Sequence, residues 1–420
     1  MTIGGQNMKF QMTKLEKQWV LYDVGNSAFI LIVTTIVPIF FNALAESAGI
    51  SSVDYLAYWG YASSVVTLVV ALLGPLLGSM ADGRLGKKLL LAVTMGVGCI
   101  GCATLGFASG WLAFLVIFCI AKIGYSTSII CYDAMLTDVS EADRMDHVSA
   151  SGFAWGYIGS CVPFVACLAL VLGHGAIGLS MTAAMRIAFL IIALWWIAMT
   201  VPLLKNYRQT HREQGDSIAD SFRRLGRTFR EIGGNRAVLV FLLAFFCYID
   251  GVYTIIDMAT AFGQALGLDS NGLLIALLVT QIVAFPCSLT FGRLAKKYPA
   301  ERLIKICIVG YLLIALYAMR MSTQMDFWIL AVAVGMFQGG IQAMTRSYYA
   351  RIIPPERSGE YFGIMDICGK GASFVGTALV GLMSQVTGSV NAGVASLAVM
   401  FVAGLALFCI SVRMNWTQGR

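Results

Sequence analysis

The chain has 420 residues, of which 58% are hydrophobic and only 12% are charged. Soluble globular domains carry about 25% charged residues and disordered chains are poor in hydrophobic ones, so both classes are excluded. The formal net charge is +7, which we attribute to basic loops at an anionic membrane surface rather than to nucleic-acid binding. The eleven cysteines are scattered through apolar stretches and do not suggest a disulfide framework.

Twelve long apolar stretches predict an all-α integral membrane protein, since about 20 apolar residues cross the hydrocarbon core as a helix. The predicted spans are 19–44, 56–80, 89–108, 111–137, 148–172, 185–204, 237–262, 272–295, 303–320, 327–349, 361–384 and 391–412. The alternating pattern of a β-barrel is absent from the sequence. Residues 1–18 are polar and basic, so we expect no cleaved signal peptide.

The distribution of basic residues predicts the orientation. If the N-terminus is cytoplasmic, 25 of the 29 Lys and Arg residues fall in cytoplasmic segments or at cytoplasmic span ends. This follows the positive-inside rule and requires an even number of spans. We therefore expect a multi-pass protein of the inner cell membrane, with cytoplasmic tails at 1–18 and 414–420.

The spans divide into two sets of six. A polar linker, residues 205–236, separates an N-terminal bundle at 19–204 from a C-terminal bundle at 237–413. The halves repeat each other, since "GSMADGRLGKK" (78–88) follows span two and "FGRLAKKYPAER" (291–302) follows span eight. Two pseudo-symmetric six-helix bundles in parallel are the organisation of major facilitator transporters.

The linker contains a predicted amphipathic helix. Its apolar residues recur at steps of three and four, with arginines between them: Ile218, Phe222, Leu225, Phe229 and Ile232. We expect this helix to lie on the inner membrane surface, with docking on the helical bundle as the alternative.

The loop after span two resembles the loop signature of the major facilitator superfamily. Its small and charged residues predict a gating hinge, since small residues permit close helix approach and an aspartate can accept hydrogen bonds from a helix N-terminus. The hinge residues are Gly78, Asp82, Arg84, Gly86 and Lys87.

Two short sequence patterns resemble enzyme motifs, but neither occurs in the context that its chemistry requires. "GVGCIG" (96–101) fits a nucleotide-binding pattern but lies within an apolar span without a βαβ unit. Cys99 and Cys102 have neither a second cysteine pair nor a histidine to complete a metal site. We therefore expect no catalytic residues, no metal and no cofactor.

Charged residues inside the spans are the informative ones, because they are costly in lipid and usually mark pathways. They concentrate in spans that line the cavity of a major facilitator bundle. We assign to substrate binding or coupling Asp23, Asn26, Lys122, Asp250, Tyr253, Asp257, Gln281, Gln338, Gln342 and Lys370. Lys122 and Lys370 lie about 16 Å into their spans, near the midplane.

Other buried charges fit structural pairing or gating. Asp366 and Lys370 are spaced to neutralise each other on one helix. Asp133 and Arg346 hold equivalent places in the two halves and are predicted to form an inner gate.

Five segments resemble the autophagy-related vacuolar amino-acid effluxer family, a branch of the major facilitator superfamily. They are "WVLYDVGNSAF" (19–29), "HVSASGFAWGYIGS" (147–160), "FCYIDGVYTI" (246–255), "QIVAFPCSLTFGRLA" (281–295) and "GGIQAMTRSYYARIIPPERSGEYFGIMDICGKGAS" (339–373). The resemblance implies movement of amino acids or similar small metabolites. The short loops favour a compact bacterial version.

We therefore expect a monomeric secondary transporter that works by alternating access in the lipid bilayer. Lys122 and Lys370 would contact an anionic group, while Asp250, Asp257 or Asp23 would contact an ammonium group or carry a proton. Charges of both signs suit a zwitterion. The alternative is a flippase of the same fold for a lipid or amphipathic substrate.

Overall fold

The structure, a computed structural model, describes residues 11–83, 85–213 and 218–418. The described residues form fifteen α-helices and two short 3₁₀ helices. The α-helices are α1 (Lys14–Ser47), α2 (Ser52–Asp82), α3 (Gly86–Thr104), α4 (Trp111–Ala134), α5 (Leu136–Val139), α6 (Met145–Leu172), α7 (Met181–Asn206), α8 (Ile218–Gly234), α9 (Arg236–Ala265), α10 (Ser270–Leu294), α11 (Ala300–Ala318), α12 (Gln324–Ile352), α13 (Ser358–Thr387), α14 (Val390–Ala395) and α15 (Leu397–Gln418). Arg84 and the chain ends at 1–10 and 419–420 lie outside the described residues.

Each predicted span is helical, and the all-α membrane fold is confirmed. Within the described residues, eleven helices are long and apolar enough to cross a membrane. The predicted ninth span corresponds to α11, which falls outside that set and carries Glu301, Arg302 and Lys305 in its first turns. The predicted span 391–412 is interrupted at Ser396, between α14 and α15.

The two halves repeat the same packing pattern. In the N-terminal half, α1 packs against α6 and α7, while α3 packs against α4 and α7. In the C-terminal half, the equivalent helix α9 packs against α13 and α15, while α11 packs against α12 and α15. The halves meet where α2 packs against α13 and α6 packs against α10 and α12.

The linker helix α8 packs on the bundle, as in the alternative to a location on the membrane surface. It packs against α2, α9 and α13. Its buried side includes Arg224, Thr228 and Ile232, whereas Phe229 is 49% exposed. Polar partners on α2 and α13 hold Arg224 and Thr228 against the protein, and the sequence pattern of α8 does not reveal those partners.

We call the end of the molecule that carries α8 the linker end, and the opposite end the far end. At the linker end α2 and α13 nearly touch. A Cβ atom on Gly78 would lie 2.0 Å from the carbonyl oxygen of Gly359, so this crossing requires glycine. Gly74 and Gly363 continue the close approach one turn further.

Candidate functional site

Two opposite charges from different halves, Lys122 and Asp257, interact electrostatically. Lys122 is half-buried on α4, and Asp257 is exposed on α9. The charge of Asp257 acts on Lys122, although the two form no ion pair within the described residues. The ammonium of Lys122 lies 5.0 Å from the ring centroid of Tyr125. This arrangement leaves both charges available to a ligand.

Helix α13 adds a second charge pair beside the first. Lys370 and Asp366 form the ion pair that their spacing predicts, and both side chains are about one fifth exposed. The charge of Lys370 acts on Lys122, and the charge of Asp366 acts on Tyr253 of α9. We call Lys122, Tyr253, Asp257, Asp366 and Lys370 the central charge group; it draws on both halves.

A second cluster surrounds Arg346 towards the linker end. Its guanidinium donates to Asp133 of α4 over 3.0 Å and to Asp23 of α1 over 3.4 Å. It also donates to the hydroxyl and the carbonyl of Ser149 on α6, over 2.9 and 3.1 Å. The predicted pairing of Asp133 with Arg346 is confirmed, and the arginine ties α12 to three helices of the other half.

Aromatic rings enclose the same guanidinium. Its carbon lies 4.6 Å from the ring centroid of Trp19, 5.4 Å from Tyr132 and 4.3 Å from Phe153. The Tyr132 hydroxyl donates to Asp23 over 2.7 Å. Rings and carboxylates together replace the hydration that a buried guanidinium would lose.

Asp23 and Asn26 belong to this cluster, whereas the sequence placed them in the substrate or coupling set. Asp23 is 6% exposed and Asn26 is 3% exposed. The Asn26 amide donates to the Tyr22 carbonyl and to Asp23 over 3.1 and 3.3 Å. In this conformation both side chains are occupied by protein contacts.

The predicted contact of Asp82 with a helix N-terminus is present. Its two carboxylate oxygens accept the backbone N–H groups of Gly359 and Glu360, each over 2.9 Å, at the first turn of α13. A carboxylate at a helix N-terminus is favourable because it meets unpaired N–H groups and the positive end of the dipole. Asp82 therefore joins the two halves.

Lys87 extends that junction. Its ammonium donates to Ser358 of α13 over 2.7 Å and to Asp138 over 2.8 Å. Gly86 precedes it with a φ of +76°, a left-handed conformation that favours glycine. The backbone N–H of Lys87 donates to Gln209 of the linker over 3.0 Å.

The linker also binds the junction from outside. Arg224 of α8 donates to the Ser79 carbonyl over 3.2 Å and approaches Glu360 at 3.6 Å. Thr228 donates to the same glutamate over 2.5 Å, and Ser79 donates to it over 2.6 Å. Glu360 is fully buried, so the linker helix, α2 and α13 share one buried acid.

Asp250 lies apart from the central charge group, in contrast to the expectation that it shares a site with Asp257. It is fully buried where α9 packs against α13. It accepts the backbone N–H of Gly376 over 2.8 Å and the hydroxyl of Thr254 over 3.4 Å.

The three predicted glutamines occupy two places. The Gln342 amide donates to the Tyr157 hydroxyl of α6 and to the Gln338 carbonyl, each over 3.2 Å. Gln338 and Gln281 line a mostly apolar cavity of about 120 Å³ inside the C-terminal half, which also reaches Thr254. Gln281 therefore faces a space that is distinct from the central charge group.

Several residues of these sites were not predicted from the sequence. Glu360 had a usable signal, because it is a charge close to the start of a span. Tyr125, Tyr132, Ser149 and Tyr157 had none, because small polar and aromatic residues are common in membrane helices.

Known proteins resemble this chain along almost its whole length. It matches the family described as "Vacuole effluxer Atg22 like" over residues 12–144 and 136–419. An "Uncharacterized MFS-type transporter YxiO" of Bacillus subtilis is 41% identical over 407 residues, which cover 95% of each chain. "Autophagy-related protein 22-1" of Aspergillus niger is 24% identical over 63% of this chain and 46% of its own length.

Solved structures show the same fold at low identity. The transporter FucP in its outward conformation superposes with a TM-score of 0.73 at 12% identity, covering 95% of this chain and 97% of its own. The proton:xylose symporter XylE superposes with a TM-score of 0.70 at 11% identity, covering 93% of each chain. The chain belongs to the Atg22-like effluxer family and is a transporter of the major facilitator superfamily.

Proposed function

We propose that this protein is a secondary transporter that moves a small zwitterion, with amino acids the favoured class, by alternating access. The observation that carries the proposal is the electrostatic interaction of Lys122 and Asp257 across the two halves, which leaves neither charge in an ion pair among the described residues. A carboxylate of the substrate would bind Lys122, and its ammonium group would bind Asp257. A single ligand would then bridge the halves that must move.

The closed linker end supports this cycle. Asp82, Lys87 and Arg346 join the halves there. The polar contacts described above between the two halves extend from the linker end to the hydrogen bond of Gln342 with Tyr157. In the proposed cycle this conformation accepts substrate from the far end, and release on the other side requires these contacts to break.

The relatives support transport and leave the substrate open. The matching family is described as a vacuole effluxer, and two solved neighbours are named as proton symporters of fucose and xylose. For this chain we propose the inner cell membrane, a cytoplasmic linker end and a monomeric state.

The test is exchange transport in proteoliposomes with each of the common amino acids in turn. Wild type should exchange at least one of them, and both Lys122→Gln and Asp257→Asn should abolish that exchange. The control is Lys88→Gln, an exposed charge at the linker end that should leave exchange unchanged. Absence of exchange by wild type, combined with scrambling of fluorescent lipids, would favour the flippase alternative.

A charge exchange sharpens the test. The double variant Lys122→Asp with Asp257→Lys keeps one charge of each sign at these two positions of the central charge group. It should recover part of the substrate exchange that each single variant loses. Full exchange by either single variant would remove that residue from substrate binding.

A further inference from the structure

Asp250 is the exception among the fully buried carboxylates. The structure describes five acidic residues with 6% exposure or less. Four of them have a cationic nitrogen within 4.0 Å: Glu16 with Arg144, Asp23 with Arg346, Asp82 with Lys87, and Glu360 with Arg224 and Arg357. Asp250 has no such partner among the described residues, although it is 0% exposed.

The contacts of Asp250 leave one oxygen unused. Oδ1 accepts the Gly376 N–H over 2.8 Å and the Thr254 hydroxyl over 3.4 Å. Oδ2 is buried and has no hydrogen-bond partner among the residues that the structure describes. A Cβ atom on residue 376 would lie 2.4 Å from Oδ1, so glycine is needed for this backbone amide to reach the acid.

The charged groups on the surrounding helices are engaged elsewhere or distant along their helices. On α13, Asp366 and Lys370 pair with each other, and on α12 Arg346 binds Asp23 and Asp133. On α9 itself, Asp257 interacts with Lys122 of α4, and the charge of Asp250 acts on Cys247. The remaining charges near the linker-end turns of the transmembrane helices packed against α9 are Arg293, Glu301, Arg302, Lys305, Arg351, Glu360 and Arg413.

We propose that Asp250 is the binding site for a coupled proton and that it holds this proton in the conformation with a closed linker end. The inference rests on the proposed function, because coupling presupposes transport. An ionised carboxylate here would be an uncompensated buried charge, which membrane interiors rarely tolerate. A hydronium ion from the aqueous side supplies the proton: one of its O–H bonds breaks, one O–H bond forms at Oδ2, and a neutral water molecule leaves.

Two polar residues follow Asp250 along α9 towards the central charge group. Thr254 lies one turn from Asp250 and bonds it, and Asp257 lies one turn further along α9. Asp257 is exposed. A proton that arrives at the central charge group would therefore pass Asp257 and Thr254 before reaching Asp250. Release would require α9 to separate from α13 at Gly376, because that contact closes the site.

The proton site can be tested directly by comparing the infrared spectra of the purified full-length wild type and its variants. Wild type should show the C=O stretching band of a protonated carboxylic acid, and Asp250→Asn should lose it. Asp257→Asn, the matched control on the same helix, should keep it. Thr254→Val should keep the band at a shifted frequency, because the acid loses its hydroxyl partner. This last variant decides the question if Asp250→Asn does not fold.

Transport separates the proton site from the substrate site. In proteoliposomes loaded with a pH-sensitive dye, and with each common amino acid as the probe, Asp250→Asn should exchange substrate but lose proton movement and proton-driven accumulation. Asp257→Asn should lose exchange as well. An acid band that survives Asp250→Asn, or proton movement that survives it, would overturn the proposal. If wild type exchanges no amino acid, the proposed function fails, while the infrared bands still decide whether Asp250 holds a proton.

Discussion

Arg346 and Asp133 form a 3.0 Å ion pair that joins α12 of the C-terminal half to α4 of the N-terminal half. Their side chains are 5% and 22% exposed, and Asp23 shares the same guanidinium. Removing one partner of a buried pair leaves an uncompensated charge and costs about 3–5 kcal/mol. This pair therefore contributes strongly to the closed linker end.

Replacing Arg346 by Gln should lower transport by more than tenfold, because two aspartates then lose their cation. Transport in proteoliposomes and thermal unfolding of the purified protein measure the effect. Arg351→Gln is the matched control. Arg351 lies on the same helix as Arg346 and pairs with Asp146 of α6 over 2.7 Å, but its side chain is 24% exposed. Because Arg351 keeps partial access to water, its loss should cost less than the loss of Arg346. Equal losses in both variants would contradict the special role of Arg346.

Gly78→Ala should weaken the closed linker end, since the new Cβ atom would lie 2.0 Å from the carbonyl oxygen of Gly359. Spin labels on α2 and α13 near that crossing should report longer distances in the variant. Gly60→Ala on the same helix is the control, because a Cβ atom there meets nothing within 4 Å. Unchanged label distances in Gly78→Ala would show that the crossing tolerates a side chain.

Arg224→Gln should release α8 from the junction, because it removes the charge that meets Glu360 at 3.6 Å. Hydrogen exchange should then become at least tenfold faster in α8, which corresponds to a loss of about 1.4 kcal/mol in local stability. Arg230→Gln, an exposed position on the same helix, should change exchange little. Equal exchange rates in the two variants would mean that Arg224 does not hold the helix.

Ala331→Leu should raise the melting temperature, because Ala331 lines the cavity of about 120 Å³ in the C-terminal half. Filling a cavity commonly adds about 0.5–2 kcal/mol. Ala343→Leu on the same helix is the contrast, since Ala343 is fully buried and lies outside that cavity. Overpacking there should cost about 1–3 kcal/mol. Differential scanning calorimetry on both variants checks the opposite signs.

Local properties of the chain were enough to predict the spans and the two halves. The length of an apolar run and the cost of a charge in lipid depend on neighbouring residues in sequence, so the twelve spans were predictable. The pairing of Asp366 with Lys370 was predictable for the same reason, because one helix turn separates them.

Contacts between distant segments required the folded structure. Asp250 and Asp257 lie seven residues apart on α9, yet one is sealed against Gly376 and the other faces the central charge group. Likewise, the docking of α8 depends on Glu360, more than one hundred residues away. Sequence patterns identify which residues are charged and how deep they lie, but the partner that neutralises each charge comes from helix packing.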